Sequence, residues 1–445
     1  DAPIYAAGNI YIASNDTMYL LSNIYSPKEL YYGKKERYVK KGQIYIHNGK
    51  SLQELNSYYD SVEEFEDFQP LDLADSVSPD GKPYNKQTWR ESQAWYEIST
   101  NRFNGKVRLR MNGMKPAPLP PQSYYTKDGL IYKKSGVHII VRIVTDSVFV
   151  QTGYEKICRK HTYNPDSTGG CGYYDKNNPC CEWDSILVLS HYKKTKKLAV
   201  ELEDSAGEKI KGSGKPFTFT TFFDPVMEKN VFALEINIFE LQSRIQSNNE
   251  IYYVTYSPEL QKKDTVLAVR LFECEFLQAP LFLSTDFPLY IKGNFNRHCD
   301  GTGRSLDPRK DDSFEQDRWK PAIIVAKSIT LLSSNYSDDK AFDYSKRIAT
   351  DTEYSFIAIT GCPVTFKSDT GIVYGGGFEN TLRLVENWKN SNLFFWGTIC
   401  TFWQREDNSF KIGPPFFEPP FYIVRAEPYL SKMHAIPEKW AYIIP

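Results

Sequence analysis

The chain lacks what a membrane span or a nucleic-acid interface needs. No apolar run approaches the roughly 20 residues that cross a bilayer. The stretch Val266–Phe272 is short, is interrupted by Arg270 and ends at Glu273. Lys plus Arg number 54 and Asp plus Glu 55, a formal net charge of −1, so the basic footprint of a nucleic-acid or anionic-membrane binder is missing. The start, Asp1-Ala2-Pro3, has no Met, no basic n-region and no apolar h-region, and reads as a processed product or a fragment.

Familiar catalytic spacings are missing as well. The six His, at 47, 138, 161, 191, 298 and 434, form no H-E-x-x-H, no H-x-H and no i, i+4 pair, which argues against a zinc hydrolase. Neither a G-x-S-x-G elbow nor a G-x-x-x-x-G-K-[ST] loop occurs. Asp300, Asp307, Asp311 and Asp312 do not follow the order of an EF-hand and read as a solvated acidic loop. The expectation is a protein with no cofactor and no enzymatic activity.

Aromatic side chains are what the chain has in plenty: 31 Tyr, 27 Phe and 8 Trp in 445 residues. They supply a core and favour strands, where they pack well on a pleated surface. Disorder over most of the chain is excluded, and the length fits two or three domains or one repetitive body. A short repeat marks the beginning: Gly8-Asn9-Ile10-Tyr11-Ile12 returns as Ser22-Asn23-Ile24-Tyr25 and as Gly42-Gln43-Ile44-Tyr45-Ile46. The unequal spacings suit successive rungs of a β-solenoid, in which each coil tolerates its own loop insertion.

The boundaries follow from punctuation. Residues 1–123 hold these rungs and polar loops, ending near the stiff Lys115-Pro116-Ala117-Pro118-Leu119-Pro120-Pro121. Residues 124–260 read as an inserted α+β module. Its strands are 137–144 and 147–150 about a turn at Thr145-Asp146, then 185–189, 198–202 and 250–254, with a helix from the spacing of Ile238, Leu241 and Ile245. Solenoid-like texture returns over 261–410, with a helix predicted at 378–388 from Phe378, Leu382, Val385 and Trp388. Residues 411–445 are an extended Pro-rich, aromatic tail. The expected fold is mainly β: an elongated, β-solenoid-like body, one inserted module and the tail.

Eight cysteines stand at 158, 171, 180, 181, 274, 299, 362 and 400. Cys158, Cys171, Cys180 and Cys181 lie in or beside a stretch rich in Gly, Asn, Pro and Asp, a loop of the kind that disulfides fix. Zinc would require paired C-x-x-C or Cys/His spacings, which these are not. Oxidised cysteines and an extracellular or cell-surface location are therefore expected, with Cys362 and Cys400 a candidate pair across neighbouring strands. Sequence alone leaves the pairing open.

Further on, Pro288-Leu289-Tyr290-Ile291-Lys292-Gly293-Asn294-Phe295-Asn296 is followed by Ser328-Ile329-Thr330-Leu331-Leu332 and Ala358-Ile359-Thr360-Gly361. Then comes Tyr374-Gly375-Gly376-Gly377-Phe378-Glu379-Asn380 with Arg383, Glu386, Asn387 and Trp388. This order resembles the large C-terminal ectodomain of bacterial type IV pilus-associated, PilX-like proteins, and the box from Gly375 to Trp388 is its most specific part. The resemblance implies a non-enzymatic pilus- or filament-associated surface subunit, with a role in adhesion. Its partners would be other pilin-like or filament subunits or copies of itself, not nucleic acid, and this chain would have no span of its own. The family's hydrophobic N-terminal helix is absent from this sequence.

Within the box the three glycines suit a tight path from a strand into a helix. Glu379, Arg383 and Glu386 have the spacing of ion pairs along one helix face. The candidate association surface is aromatic: Trp396, Trp403, Phe416, Phe417, Phe421 and Tyr422. In the tail, prolines hold the chain extended and lower the entropy lost on docking; capping of the body's own open edge is the competing expectation. The alternative function is a secreted β-solenoid polysaccharide-binding or polysaccharide-degrading enzyme, which would need a cleft lined by clustered charged side chains.

Overall fold

In a computed structural model, residues 4–5, 10–12, 18–21, 23–26, 30–33, 44–54, 68–70, 97, 100–109, 120–161, 181–210, 216–245, 250–261, 266–310, 315–363, 366–368, 371–373, 378–405, 414–432 and 440 are described. The protein is mainly β. Central strands such as Ile251–Tyr256 and Ala322–Ala326 are buried on both faces, and parallel neighbours set side chains of like kind in register.

Among the described residues, nine short strands lie in the first 109 positions: β1 Ile4–Tyr5, β2 Ile10–Ile12, β3 Met18–Leu20, β4 Ile24–Tyr25, β5 Leu30–Gly33, β6 Ile44–His47, β7 Leu52–Glu54, β8 Phe68–Pro70 and β9 Val107–Arg108. They form three three-stranded sheets, β1-β4-β9, β2-β5-β8 and β3-β6-β7. Ile24 stacks on Ile4, Leu30 on Ile10 and Ile44 on Met18, all in parallel register. Two tiers of strands thus surround one apolar centre, completed by Phe103, Val107 and Leu109. The three copies of the sequence repeat fall in three different sheets, because the stacking partner is set by the tier above and not by sequence likeness.

The larger part contains β10 Val137–His161, β11 Cys181–Glu203, β12 Phe217–Asp224, β13 Lys229–Asn237, β14 Ile251–Tyr256, β15 Val266–Phe272, β16 Leu281–Thr285, β17 Pro288–Lys292, β18 Ala322–Ala326, β19 Ser328–Leu332 and β20 Thr352–Cys362. After these come β21 Phe366–Ser368, β22 Gly371–Val373, β23 Leu382–Leu384, β24 Asn392–Gln404 and β25 Phe421–Arg425. One sheet runs β11-β10-β14-β16-β18-β20-β24-β25 and a second runs β12-β13-β15-β17-β19-β23. From β14 to β20 the chain visits the two sheets in turn, and every pairing in them is parallel except β10 with β11 and β12 with β13.

Register gives columns. Leu234, Val269, Leu289, Ile329 and Leu382 align across the six-stranded sheet. Tyr252, Leu283, Ile324 and Ala358 align across the eight-stranded one. Both columns belong to the main core, and each large aliphatic side chain so buried contributes about 1.5–3 kcal/mol. A second cluster on the eight-stranded sheet holds Ile251, Tyr253, Phe282, Ile323, Ile357 and Ile359, under Tyr125, Ile131 and Trp440.

Four expectations change. Residues 124–260 are not an insertion between two parts of one body, since β10 and β14 pair directly into the sheet that continues through β16. Among the described residues, the strands of 4–109 pair only with each other, so residues 1–50 and the C-terminal half share no ladder. No turn falls at Thr145-Asp146: a long antiparallel partner places Thr145 opposite Lys196 and Asp146 opposite Thr195, and β10 runs straight through. Finally, the helix predicted at 378–388 is only Phe378–Thr381. Leu382–Leu384 instead completes the six-stranded sheet beside β19, where both leucines enter the core. The helix Ile238–Arg244 does form, with the Asn237 side chain accepting from the Glu240 amide at 2.9 Å.

Candidate functional site

The column between two apolar ones on the six-stranded sheet is polar: Glu235, Arg270, Tyr290, Thr330 and Arg383 stand in register on five consecutive strands. Alternation alone puts them on the face away from the core. The end of β12 and the segment after β19 cover them. The Val226 and Met227 amides donate to Asp224 Oδ1 at 2.9 and 2.8 Å and fix its carboxylate. The Tyr290 hydroxyl donates to Asp224 Oδ2 at 2.6 Å, and Arg383 approaches the same oxygen at 3.3 Å with both side chains buried. Arg270 donates to both Asp338 oxygens at 2.6 and 2.7 Å and to Glu235 at 2.8 Å. Its guanidinium lies 4.5 Å from the Phe222 ring centroid.

The charges in this column are spent on one another. Burial and the Asp224 carboxylate hold the Tyr290 hydroxyl well above its ordinary range, so Tyr290 is a fixed donor and not a base. Burial alone would lower the Arg270 pKa, but the Asp338 and Glu235 carboxylates outweigh it. Chemically the array ties β12, β15, β17, β23 and the 333–347 segment together.

The rest of the box continues that pattern. Glu386 accepts from the Ser333 amide at 2.6 Å and hydroxyl at 2.8 Å; burial pushes its carboxyl up to about 7 against those two bonds. The Asn387 amide donates to Arg347 O, and Asn387 O accepts from Ala349. Trp388 is fully buried and its amide donates to Glu418 O. Arg347 donates to Val385 O, Pro415 O and Phe416 O. The buried Asn380 offers its carbonyl to Arg405 at 2.7 Å. The helix face expected to carry Glu379, Arg383 and Glu386 does not form, because Arg383 and Glu386 lie on and after a strand. Gly375, Gly376 and Gly377 lie outside the described residues, as does the side chain of Glu379.

A second polar cluster has no counterpart in the sequence reading. His298 is fully buried, with Nδ1 at 2.8 Å from Asp317 Oδ2 and Nε2 at 2.9 Å from Glu427 Oε2. Tyr429 donates to Asp317 at 3.1 Å and Ser355 to Glu427 at 3.0 Å, while Trp319 Nε1 donates to the Ser355 hydroxyl at 2.6 Å. Trp319 stacks on the imidazole, and Trp396 and Tyr429 meet it edge-on. Burial alone would lower the His298 pKa; the two carboxylates outweigh it and push it up to about 9. Both ring nitrogens are engaged, so His298 has neither a lone pair for a metal nor a proton site for a substrate. Its partners lie 19 and 129 residues away, which explains why no local motif pointed to them.

The aromatic association candidates are mostly built into the chain. Phe417 is buried, Phe416 and Tyr422 pack against the main core, and Trp396 is covered by the His298 cluster. Trp403 leans on Tyr125 at 5.1 Å. Phe421 alone of the six is largely exposed. The tail's β25 is the last strand of the eight-stranded sheet, and Trp440 packs edge-on to Phe282. The described part of the tail thus packs on the protein's own sheet and core.

Cys362 and Cys400 do not pair: Cys362 stands opposite Gln404 and Cys400 opposite Ile359, and both thiols are free, as are the buried Cys274 and Cys299. Cys171 and Cys180, and the side chains of Cys158 and Cys181, lie outside the described residues. Asp300 and Asp307 bind their own neighbours, Thr302 and Arg304 for the first and Arg309 for the second; Asp311 and Asp312 lie outside the described residues. Among the described residues no group of three or more His, Cys, Asp or Glu is placed to hold a metal ion, and no helix is long and apolar enough to cross a membrane.

No protein-family model, no curated protein and no solved structure matches the chain. The resemblance to PilX-like proteins therefore stands on the quoted residues alone.

Proposed function

We propose that this chain is a non-enzymatic structural protein of the cell exterior, a pilus- or filament-associated subunit that works by association. We also read the tiers of parallel strands as coils of β-solenoid, two-faced in the larger part and three-faced in the first 109 residues. The observation that carries the functional reading is the use made of the box residues. Arg383, Glu386, Asn387 and Trp388 link a strand, the 333–349 segment and the tail, which is what a load-resisting subunit requires, and the charged Arg383 and Glu386 are buried in these contacts and not open to a substrate. The partners are other filament subunits or copies of this chain.

Immuno-electron microscopy of native material tests this reading: label should follow surface filaments. Label confined to the cell interior, or depolymerisation of a polysaccharide by the purified chain, would overturn it.

A further inference from the structure

The two ends of the small N-terminal stack are built differently. At one end β7 and β8 fold back antiparallel onto β6 and β5, and Phe103 and Leu109 are fully buried beside β9. At the other end β1, β2 and β3 are each the outermost strand of their sheet. Burial records the contrast. In the second tier Ile24, Ile44 and Ile46 are 0% exposed and Leu30 is 1%. In the first tier Ile10 and Ile12 on β2 are buried, at 8% each, but Ile4 is 37% exposed, Met18 and Leu20 are half-buried, and Leu21 just beyond them is 49% exposed. Among the described residues no strand pairs with the outer edges of β1, β2 and β3, and an open edge of an apolar tier is a template for further strands.

The sequence of this tier bears on the occupant. Monomeric proteins protect exposed edge strands with charges, Lys above all. Here the first 27 residues contain no Lys or Arg and only two acids, Asp1 and Asp16, and none of the residues in β1, β2 or β3 is charged. Such an edge meets its own copy without like-charge repulsion, and a two-fold contact sets a surface against itself. We propose that the open tier of β1, β2 and β3 pairs with the same tier of a second copy of this chain, edge to edge across a two-fold axis. The axis sets one edge strand against its own copy and the other two against each other, antiparallel, and covers Ile4, Met18, Leu20 and Leu21. This names the partner and surface for the association argued above, and it rests on that reading only for its biological use.

Sedimentation velocity of the full chain from low to high micromolar concentration tests it. The expected result is a concentration-dependent dimer in the wild type. Leu21→Lys, at an exposed position where the monomer tolerates a charge, should return it to monomer with an unchanged circular dichroism spectrum, and Met18→Lys should do the same. Leu52→Lys, equally exposed but on the closing strand β7, should leave the dimer intact. Amide exchange at Met18–Leu20 should slow as concentration rises. A wild type that stays monomeric throughout, or a dimer indifferent to both Leu21→Lys and Met18→Lys, overturns the proposal. The filament-labelling result is independent of either outcome, so the two readings fail separately.

Discussion

The first 109 residues and the larger part stack strands by the same rule and stabilise themselves by different means. In both, parallel neighbours sit in register and like side chains form columns. The small stack is centred on apolar side chains, with Ile10, Ile24, Leu30 and Ile44 at its heart, and Asn48 Nδ2 donates across it to Arg102 O. The larger part adds buried ionisable groups on the outer side of its sheets: Asp224 with Arg383, Arg270 with Asp338, Glu386 with Ser333, and His298 between two carboxylates. Apolar columns fix which residues face inward, but they slide easily past one another. Directional hydrogen bonds from distant segments give the larger part a single arrangement of its long connections, at a desolvation cost recovered only when every partner is present.

The sharpest test of that contrast is Trp388→Ala, which empties a fully buried indole site in the larger part. A loss of about 3–5 kcal/mol is expected, read by denaturant unfolding of the larger part, while amide protection at Ile24 and Ile44 should be unchanged. Equal loss of protection in both parts would show that they unfold as one unit. Arg383→Ala comes next and should cost about 3 kcal/mol, the lower end for a broken buried pair, because Tyr290 still donates to Asp224. Urea midpoints of the two variants measured together would rank the apolar and ionic contributions.

The pH dependence expected of the larger part comes from two of its buried groups. His298 is held at about 9 against an ordinary 6.5, and Glu386 at about 7 against 4.5. A group raised in the folded state contributes stability that is whole below its unfolded pKa and is lost as pH rises through its folded one. Stability of the larger part should therefore fall between pH 4.5 and 7 through Glu386, and between 6.5 and 9 through His298. Each contribution is at most about 3 kcal/mol. His298→Gln should abolish the upper slope and Glu386→Gln the lower one, as followed by melting temperature across pH. An unchanged upper slope in His298→Gln would remove the imidazole from the account. The smallest effect is expected at Tyr19, which stacks on Tyr45 at 5.8 Å on the outside of the small stack: Tyr19→Ala should cost only about 0.2–1 kcal/mol, and that in the small stack alone.

Several features were legible beforehand because they are local. The helix Ile238–Arg244 follows from the apolar spacing of Ile238, Leu241 and Ile245, and strands such as Leu289 to Ile291 from short β-rich runs. The secondary structure of the box from Arg383 to Trp388 differs from the helix its spacing suggests. A spacing of three and four fits a helix, yet Leu382 and Leu384 gain more by completing a parallel sheet than by forming an isolated helical turn. His298, Asp317 and Glu427 were unreadable for the opposite reason: nothing in a one-dimensional pattern brings together groups 19 and 129 residues apart.

By itself the sequence determined that the chain is β-rich, that its core is aromatic and aliphatic, and that its edges near residue 20 carry no charge, since composition and alternation act within a few residues. Only the tertiary structure decided which strands are neighbours, which polar residues are buried together and that the tail closes the eight-stranded sheet. Those outcomes depend on in-register stacking and on complete hydrogen-bond partnerships between segments far apart in the chain, and both are properties of the assembled fold.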